Sequence, residues 1–307
     1  MSGGRPKVLY ITGMTRCGST MLGNVLNEVP GVVHIGELHY LWRNGILRSG
    51  TNSTCGCGGD LGECPMWSVI LDRASVPTSQ DAARLISRIQ DRHLRHRDTP
   101  ARLAEARFGL PAPAGVRRVL DVTADIYRAL AEQPGVELIV DSSKYPAEAA
   151  ALSGRDDLDL RVLHMVRDPR ATAYSYSRSK KYIDAMPPAR STATWSAVNL
   201  ASDLIGLPGA LPGDRFTRVR HEDFGRDPRG VVAGVLAFAG VRGPNPVDDG
   251  TVELTGNHTV TGNPDRLETG AVAIRADERW RTDLDWKARA VTTAAAAPQL
   301  LRYGYGG

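Results

Sequence analysis

The segment "KVLYITGMTRCGSTMLGNVLNEV", residues 7–29, constrains the fold of this chain more than any other. A β-branched apolar run, Lys7 to Thr12, passes through a turn with glycines at 13 and 18 into an apolar-periodic stretch that begins at Ser19. Strand, glycine turn and helix in that order make one βα unit, and such units assemble into a parallel sheet covered by helices. The turn follows the phosphate-binding pattern GxxxxGK[ST] at Gly13, Gly18 and Thr20, but Ser19 stands where the pattern has lysine. Loop amides, the positive helix end and the hydroxyls of Ser19 and Thr20 make an anion site without that lysine, and Arg16 supplies a charge from inside the loop.

Three further β-branched runs end in polar or turn residues: "VELIV" (Val136 to Val140), "LRVLHMV" (Leu160 to Val166) and "FTRVR" (Phe216 to Arg220). Near-continuous apolar runs between helical patterns predict buried parallel strands, so the fold class expected is α/β: a P-loop-type three-layer α/β/α arrangement with a central parallel sheet and helical and loop insertions. With 42% apolar residues the 307-residue chain can build one large core, and a single domain over residues 1–307 is expected. An insertion over about residues 38–118 is expected to form a lid on the acceptor side; it holds "TCGCGGDLGECPMW" and a charged helical pattern from Ser79 to Asp98. From Gly240 to Gly270 the density of Gly, Pro, Asn and Asp predicts a long loop. The polar residues of interest follow the strands, where open α/β sheets place their ligands.

A net charge of +4 and a pI near 8.9 are too mild for a nucleic-acid binder and suit a small anionic ligand. No run approaches the length of a membrane span, and "MSGGRPK" leads straight into a strand pattern, so a cytoplasmic location is expected. Four cysteines in a chain of this length do not make a disulfide scaffold.

The stretch "HMVRDPRATAYSYSRSK", from His164 to Lys180, carries a second anion signal. Asp168 is placed as an N-cap and Pro169 as the first helical residue, so Arg167 sits at a strand end and Ser175 about two turns into the helix. "TRCGST" and "RDPRATAYS", about 150 residues apart and with eight residues from Arg167 to Ser175, resemble the 5′-phosphosulfate loop and the 3′-phosphate motif of one family. That family is the sulfotransferases that use 3′-phosphoadenosine 5′-phosphosulfate (PAPS). At motif level the resemblance covers Lys7 to about Phe224, with the central insertion unmatched. It implies that Arg16, Cys17, Gly18, Ser19, Thr20 and Met21 hold the 5′-phosphosulfate, and that Arg167 and Ser175 hold the 3′-phosphate. A donor with a single 5′-phosphate has no γ-phosphate for a lysine to reach. The resemblance implies no metal for the chemistry, and Asp141 in "LIVDSS" is the nearest acidic candidate for one.

Glu37, in "HIGELHYLW", resembles the glutamate base of tyrosylprotein and several carbohydrate sulfotransferases. A helix-start glutamate is the alternative, and His34 and His39 are rival bases. Lys144, in "VDSSKYP", resembles a family lysine that contacts the phosphosulfate bridge. A lysine in a solvated turn is the other reading, and the sequence does not choose between Ser142 and Ser143 as neighbours. In "NHTVTGNPDRLETG" Arg266 is the candidate for the basic residue of a late loop over the 3′-phosphate, and His221 in "VRHEDF" for a contact with adenosine. The "RKGxxGDWK" form of cytosolic small-molecule sulfotransferases is absent, which points to the bacterial or carbohydrate-type branch.

Cys55, Cys57 and Cys64 lack the paired CxxC spacing of structural zinc sites, so the expectation is a bridge from Cys64 to Cys55 or Cys57, or three free thiols in a lid. The activity expected is transfer of the sulfuryl group of PAPS to a hydroxyl or amine of a carbohydrate, lipid-linked or small-molecule acceptor, releasing 3′-phosphoadenosine 5′-phosphate (PAP). Glu37, Lys144 and Arg16 would be the catalytic residues. The rivals are a small-molecule kinase that uses ATP and Mg²⁺, which the missing lysine disfavours, and a nucleotide-binding module without catalysis.

Overall fold

The computed structural model describes residues 4–50, 52–178 and 184–306. Five parallel strands form the central sheet: β1 (Lys7–Thr12), β2 (Val32–Gly36), β3 (Leu138–Lys144), β4 (Asp159–Val166) and β5 (Phe216–Arg220). Their spatial order is β2-β3-β1-β4-β5. Because β1 lies between β3 and β4, chain connections leave it toward both edges, and its carboxyl end opens onto the crevice where such sheets bind ligands.

Alternation along β1 shows why the sheet is covered on both faces. Val8 and Tyr10 join one apolar cluster, with Ile139 of β3 and Val162 of β4. Leu9 and Ile11 join another, with Val140 and Leu163. Successive side chains of a strand point to opposite faces, and here both sets are buried. The first face packs on α2 (Trp67–Arg73), α3 (Gln80–His93), α5 (Ala114–Ala131) and α6 (Pro146–Leu152); α4 (Thr99–Phe108) lies against α6. The second packs on α1 (Ser19–Asn27), α9 (His221–Arg226) and α10 (Pro228–Ala239). Helices α7 (Pro169–Ser177), α8 (Pro188–Ile205), α11 (Trp280–Asp283) and α12 (Trp286–Arg302) pack together beside β4. No helix among the described residues is long and apolar enough to cross a membrane.

Two expectations need correction. The run read as Val136 to Val140 is in fact β3, Leu138–Lys144, so Asp141, Ser142, Ser143 and Lys144 belong to the strand and do not follow it. Its apolar pattern stops at Val140, but the polar residues beyond it find buried partners and the ladder to β1 continues through an irregularity to Thr12 and Lys144. The segment from Gly240 to Gly270 is not a plain loop. It contains β6 (Val247–Asp248) and β7 (Thr251–Leu254), which with β8 (Gly270–Ala273) form a small antiparallel sheet. Asp249 and Gly250 have φ of 41° and 70° and make a two-residue hairpin turn of the Asp-Gly kind, while Val247, Val252 and Leu254 bury against the second cluster.

The insertion between β2 and β3 contains α2 to α5 and a π-helical turn, Leu41–Ile46. The charged pattern at Ser79 is α3, whose N-cap Ser79 hydroxyl accepts from the Ala82 amide at 3.3 Å.

Candidate active site

The glycine loop after β1 is shaped by close backbone approach. A Cβ on Gly13 would lie 2.2 Å from the Met165 carbonyl oxygen, and one on Gly18 2.4 Å from His221 Nδ1; their φ values are 146° and 93°. Only glycine satisfies both constraints. The chain then enters α1 at Ser19, leaving Thr15, Arg16, Gly18, Ser19, Thr20 and Met21 along a cleft of about 540 Å³. Cys17 does not line it. Its thiol is buried with Leu9, Leu22 and Met165, so what it offers the loop is backbone.

The second motif reaches the first across the sheet. Asp168 caps α7, its Oδ1 accepting from the Arg170 amide at 2.7 Å, and this starts the helix at Pro169. Arg167 Nη1 donates to the Arg16 carbonyl at 3.1 Å, and Arg16 Nε donates to Ser175 Oγ at 3.0 Å. Trp195 of α8 donates from Nε1 to the Arg167 carbonyl at 2.9 Å and holds this corner from behind. The Ser19 hydroxyl, Arg167 Nε and His221 Nδ1 are buried without a hydrogen-bond partner among the described residues. Burial first, then the Arg167 charge, lowers the pKa of His221 to about 3, so its ring is neutral at ordinary pH. Buried donors left unpaired in a cationic cleft fit a ligand that brings anionic oxygens.

Glu37 follows β2 directly, its amide donating to the Thr261 carbonyl at 3.3 Å. Lys144, at the end of β3, forms an ion pair with Glu37 Oε1, and Nζ also donates to the Ser142 carbonyl at 3.1 Å. Both residues line the cleft. Lys144 and Arg16 hold left-handed backbone, φ 73° and 77°, a conformation that costs a non-glycine residue about 1–3 kcal/mol.

The rival bases are turned away. His34 Nε2 lies 3.1 Å from Ser142 Oγ beneath the sheet end, and burial, with Lys144 and Arg266 adding to it, brings its pKa down to about 3. His39 stacks on Tyr145 at 3.7 Å and shares a 2.5 Å contact with Glu148. Ser142 donates to the Gly36 carbonyl at 3.1 Å and Ser143 to Asp141, so neither hydroxyl faces the cleft. Asp141 is also turned inward, accepting from Tyr127 at 2.6 Å, with burial pushing its pKa up to about 6.

The placement expected for Arg266 is corrected. Its side chain is 2% exposed and lies outside the cleft, donating to the carbonyls of Thr259 at 3.1 Å and Thr54 at 2.9 Å. Backbone carbonyls on two segments took its donors and hold the long side chain inside. The basic residues that reach the cleft from the late segment are Arg275 and Arg279, joined by Arg178 beyond α7. Arg275 could have been found in the sequence, since it follows the short run "GAVAI" as Arg167 follows β4. Arg279 grips Asp277 at 2.7 Å and holds that carboxyl down at about 2. His221 does line the cleft, over Gly18.

The insertion contributes Tyr40, Asn44, Gly50 and Asn52, and the late loop contributes Thr261 and Gly262. None of residues 184–211 lines the cleft, and residues 179–183 lie outside the described residues.

Of the two arrangements expected for Cys55, Cys57 and Cys64, the structure has the free thiols and not the bridge. All four are free, and Cys55, Cys57 and Cys64 gather with His258 so that their three sulfurs and one ring nitrogen lie within 4.8 Å of one another. His258 is 194 residues beyond Cys64, which is why spacing alone did not associate them.

No family model matches the chain. It is 28% identical over 164 residues to carbohydrate sulfotransferase 3 of Mus musculus, a match that takes in 48% of this chain and 34% of that protein. It is 32% identical over 101 residues to carbohydrate sulfotransferase 5 of Mus musculus, covering 27% of this chain and 26% of that protein. The chain thus spans about a third or less of the length of these curated relatives. Among solved structures, it is similar to the sulfotransferase domain from the Synechococcus PCC 7002 olefin synthase, at 20% identity and a TM-score of 0.48 over 96% of this chain and 97% of that one.

Proposed function

We propose that this chain, whose relatives by sequence are sulfotransferases, moves the sulfuryl group of PAPS to an acceptor hydroxyl, with a carbohydrate as the leading acceptor class and a lipid-linked or small-molecule alcohol, or an amine, as others. The observation that carries the reading is the direct junction of the two anion motifs: Arg167 on the Arg16 carbonyl and Arg16 on Ser175, with unpaired buried donors on both sides. One phosphate site would suit many ligands. Two, joined at a single corner beyond β1 and β4, suit a nucleotide phosphorylated at both ends of its ribose.

PAPS supplies, when bound, a sulfuryl group on a phosphate that leaves readily. The loop amides, Ser19, Thr20 and Arg16 would hold the 5′ end, and Arg167 and Ser175 the 3′-phosphate. The Glu37 carboxylate would take the proton of the acceptor hydroxyl as its oxygen forms a bond to sulfur. Lys144 would neutralise the electron pair left on the 5′-phosphate when its oxygen's bond to sulfur breaks. The ion pair between Glu37 and Lys144 supports this division, because an anion that recruits Lys144 frees the carboxylate to act as a base. That the sequence relatives are carbohydrate sulfotransferases supports the carbohydrate class.

Calorimetric titration of the purified chain with PAP and, separately, with ATP and Mg²⁺ tests the reading. PAP is expected to bind, and Arg167→Ala to weaken it by about tenfold to a hundredfold, the worth of a charge-assisted contact. Displacement of PAP by ATP, or an Arg167→Ala variant that binds PAP as well as the parent does, would overturn it.

A further inference from the structure

We propose that Cys55, Cys57, Cys64 and His258 hold a zinc ion that fastens the insertion to the late loop beside the cleft. His258 Nδ1 lies 3.2 Å from Cys64 Sγ and 3.8 Å from Cys55 Sγ, and the two sulfurs are 3.5 Å apart. Zinc bonds of about 2.3 Å to sulfur and about 2.0 Å to nitrogen, at tetrahedral angles, separate such ligand atoms by roughly 3.5–3.8 Å. Cys55, Cys64 and His258 already have nearly that spacing, and Cys57 Sγ lies within 4.8 Å of all three. A disulfide between any two of the cysteines would use two members and leave a thiol and an imidazole converging on it for no reason. A set of three thiolates and one imidazole selects zinc by softness and geometry.

The surroundings are built for the charge such a site carries. Three thiolates around a divalent ion leave one net negative charge, which needs donors and a cation nearby. The Trp67 amide points at Cys64 Sγ at 3.5 Å, and Trp67 Nε1 donates to the His258 carbonyl at 2.5 Å, so one residue braces two ligands. Arg266 supplies the cation. Its guanidinium, itself buried, bonds the carbonyls of Thr54 and Thr259, the immediate neighbours of Cys55 and His258. The residue that sequence pattern assigned to a phosphate is thus a strut of this cluster. Donors that hold the ligands from behind in this way orient them and tune the ion.

Four protein ligands leave no coordination position open, which makes the role structural. The two chain segments it joins are also tied by hydrogen bonds, those of Trp67 and Arg266 among them. The Gly56 amide donates to the Thr259 carbonyl at 2.8 Å and Asn52 Nδ2 to the Gly262 carbonyl at 2.6 Å. From His258 the chain runs directly to Val260, which bonds the Ile35 carbonyl, and to Thr261, which receives the Glu37 amide. Fixing His258 therefore fixes the loop that sets the Glu37 backbone. A reducing compartment, such as the cytoplasm that we propose for this chain, keeps the three thiols available for the ion.

The test measures metal, so it does not depend on whether the chain transfers sulfate. The full chain is purified under reducing, chelator-free conditions, and its zinc is counted by plasma mass spectrometry. About one ion per chain is expected, falling to below about a tenth in His258→Ala. Because Cys57 is exposed, Cys57→Ser keeps the fold while weakening the site. Circular dichroism checks both variants. Replacement of the zinc by cobalt is expected to give thiolate-to-cobalt charge transfer and the intense visible bands of a tetrahedral ion, both altered in Cys57→Ser. Three outcomes overturn the proposal: parent protein without metal whose thiols all titrate freely, a cobalt spectrum that Cys57→Ser leaves unchanged, or peptide mapping that finds a disulfide between two of the three cysteines.

Discussion

At Glu37 and Lys144 the chain holds an ion pair in a cleft whose other charged residues are mostly arginines, and both partners are nearly enclosed, with side-chain exposures of 12% and 9%. If Glu37 is the base, Glu37→Gln is expected to lower kcat by about 10²–10⁴ without weakening PAP, because the amide keeps the shape and loses the proton acceptor. Steady-state kinetics beside PAP titration separates the two effects, and unimpaired turnover would remove Glu37 from the mechanism. His34 carries a different prediction. Its folded pKa of about 3 lies below the unfolded value near 6.5, so the neutral ring is the form the fold accepts. Above pH 6.5 this has no effect. As pH falls from about 6.5 toward 3, the unfolded chain takes up a proton that the folded chain refuses, and stability is lost. His221 acts in the same direction, while Asp141 and Glu222, whose pKa values burial raises, act in the opposite one. Comparison with His34→Gln cancels those shared contributions. Denaturant titrations at several pH values should show the variant losing less stability over that limb, by up to about 1.4 kcal/mol per pH unit.

At the scale of elements, the site is a set of strand ends. The glycine loop, Arg167 and Glu37 are where the sequence patterns put them, after β1, β4 and β2, because an apolar run that stops at a polar residue marks where a buried strand reaches solvent. Lys144 differs. It was expected just after the strand, and it ends a strand whose last four residues are polar and buried. Hydrogen bonds to Tyr127, His34 and His39 make that burial possible, and no periodicity in the chain encodes partners so far away. The hairpin Val247–Leu254 was legible in principle, since "DDG" between apolar pairs is a turn signal, but the surrounding glycines and prolines obscured it. The tight corner between loop and α1 yields a prediction of its own. Gly18→Ala places a Cβ against His221 at a left-handed φ, and is expected to cost about 1–3 kcal/mol and to abolish PAP binding. Urea unfolding and calorimetry check the two parts, and a variant that binds PAP normally would show that the corner can open.

For the molecule as a whole, the five-stranded sheet is shared by the apolar clusters on its two faces, so loss of either face exposes the other. A single cooperative thermal transition is expected by calorimetry, and PAP at a hundred times its Kd should stabilise the chain by about 2.7 kcal/mol. Two separate transitions would divide the chain into independent units. What the amino-acid sequence determined by itself is local: the strand-loop-helix unit, the cap at Asp168, the spacing from Arg167 to Ser175, and therefore an α/β sheet with its polar motifs at the strand ends. Each of these is written within about twenty residues, where backbone geometry and capping chemistry act. Tertiary structure alone decided which distant groups meet. It put Arg16 on Ser175, turned His34 and His39 away from the cleft, drew Arg266 out of a phosphate role into the core, and brought His258 to three cysteines about 200 residues earlier. Those outcomes depend on which side chains find buried partners once the sheet and its insertion close together, and that competition has no signature in sequence spacing.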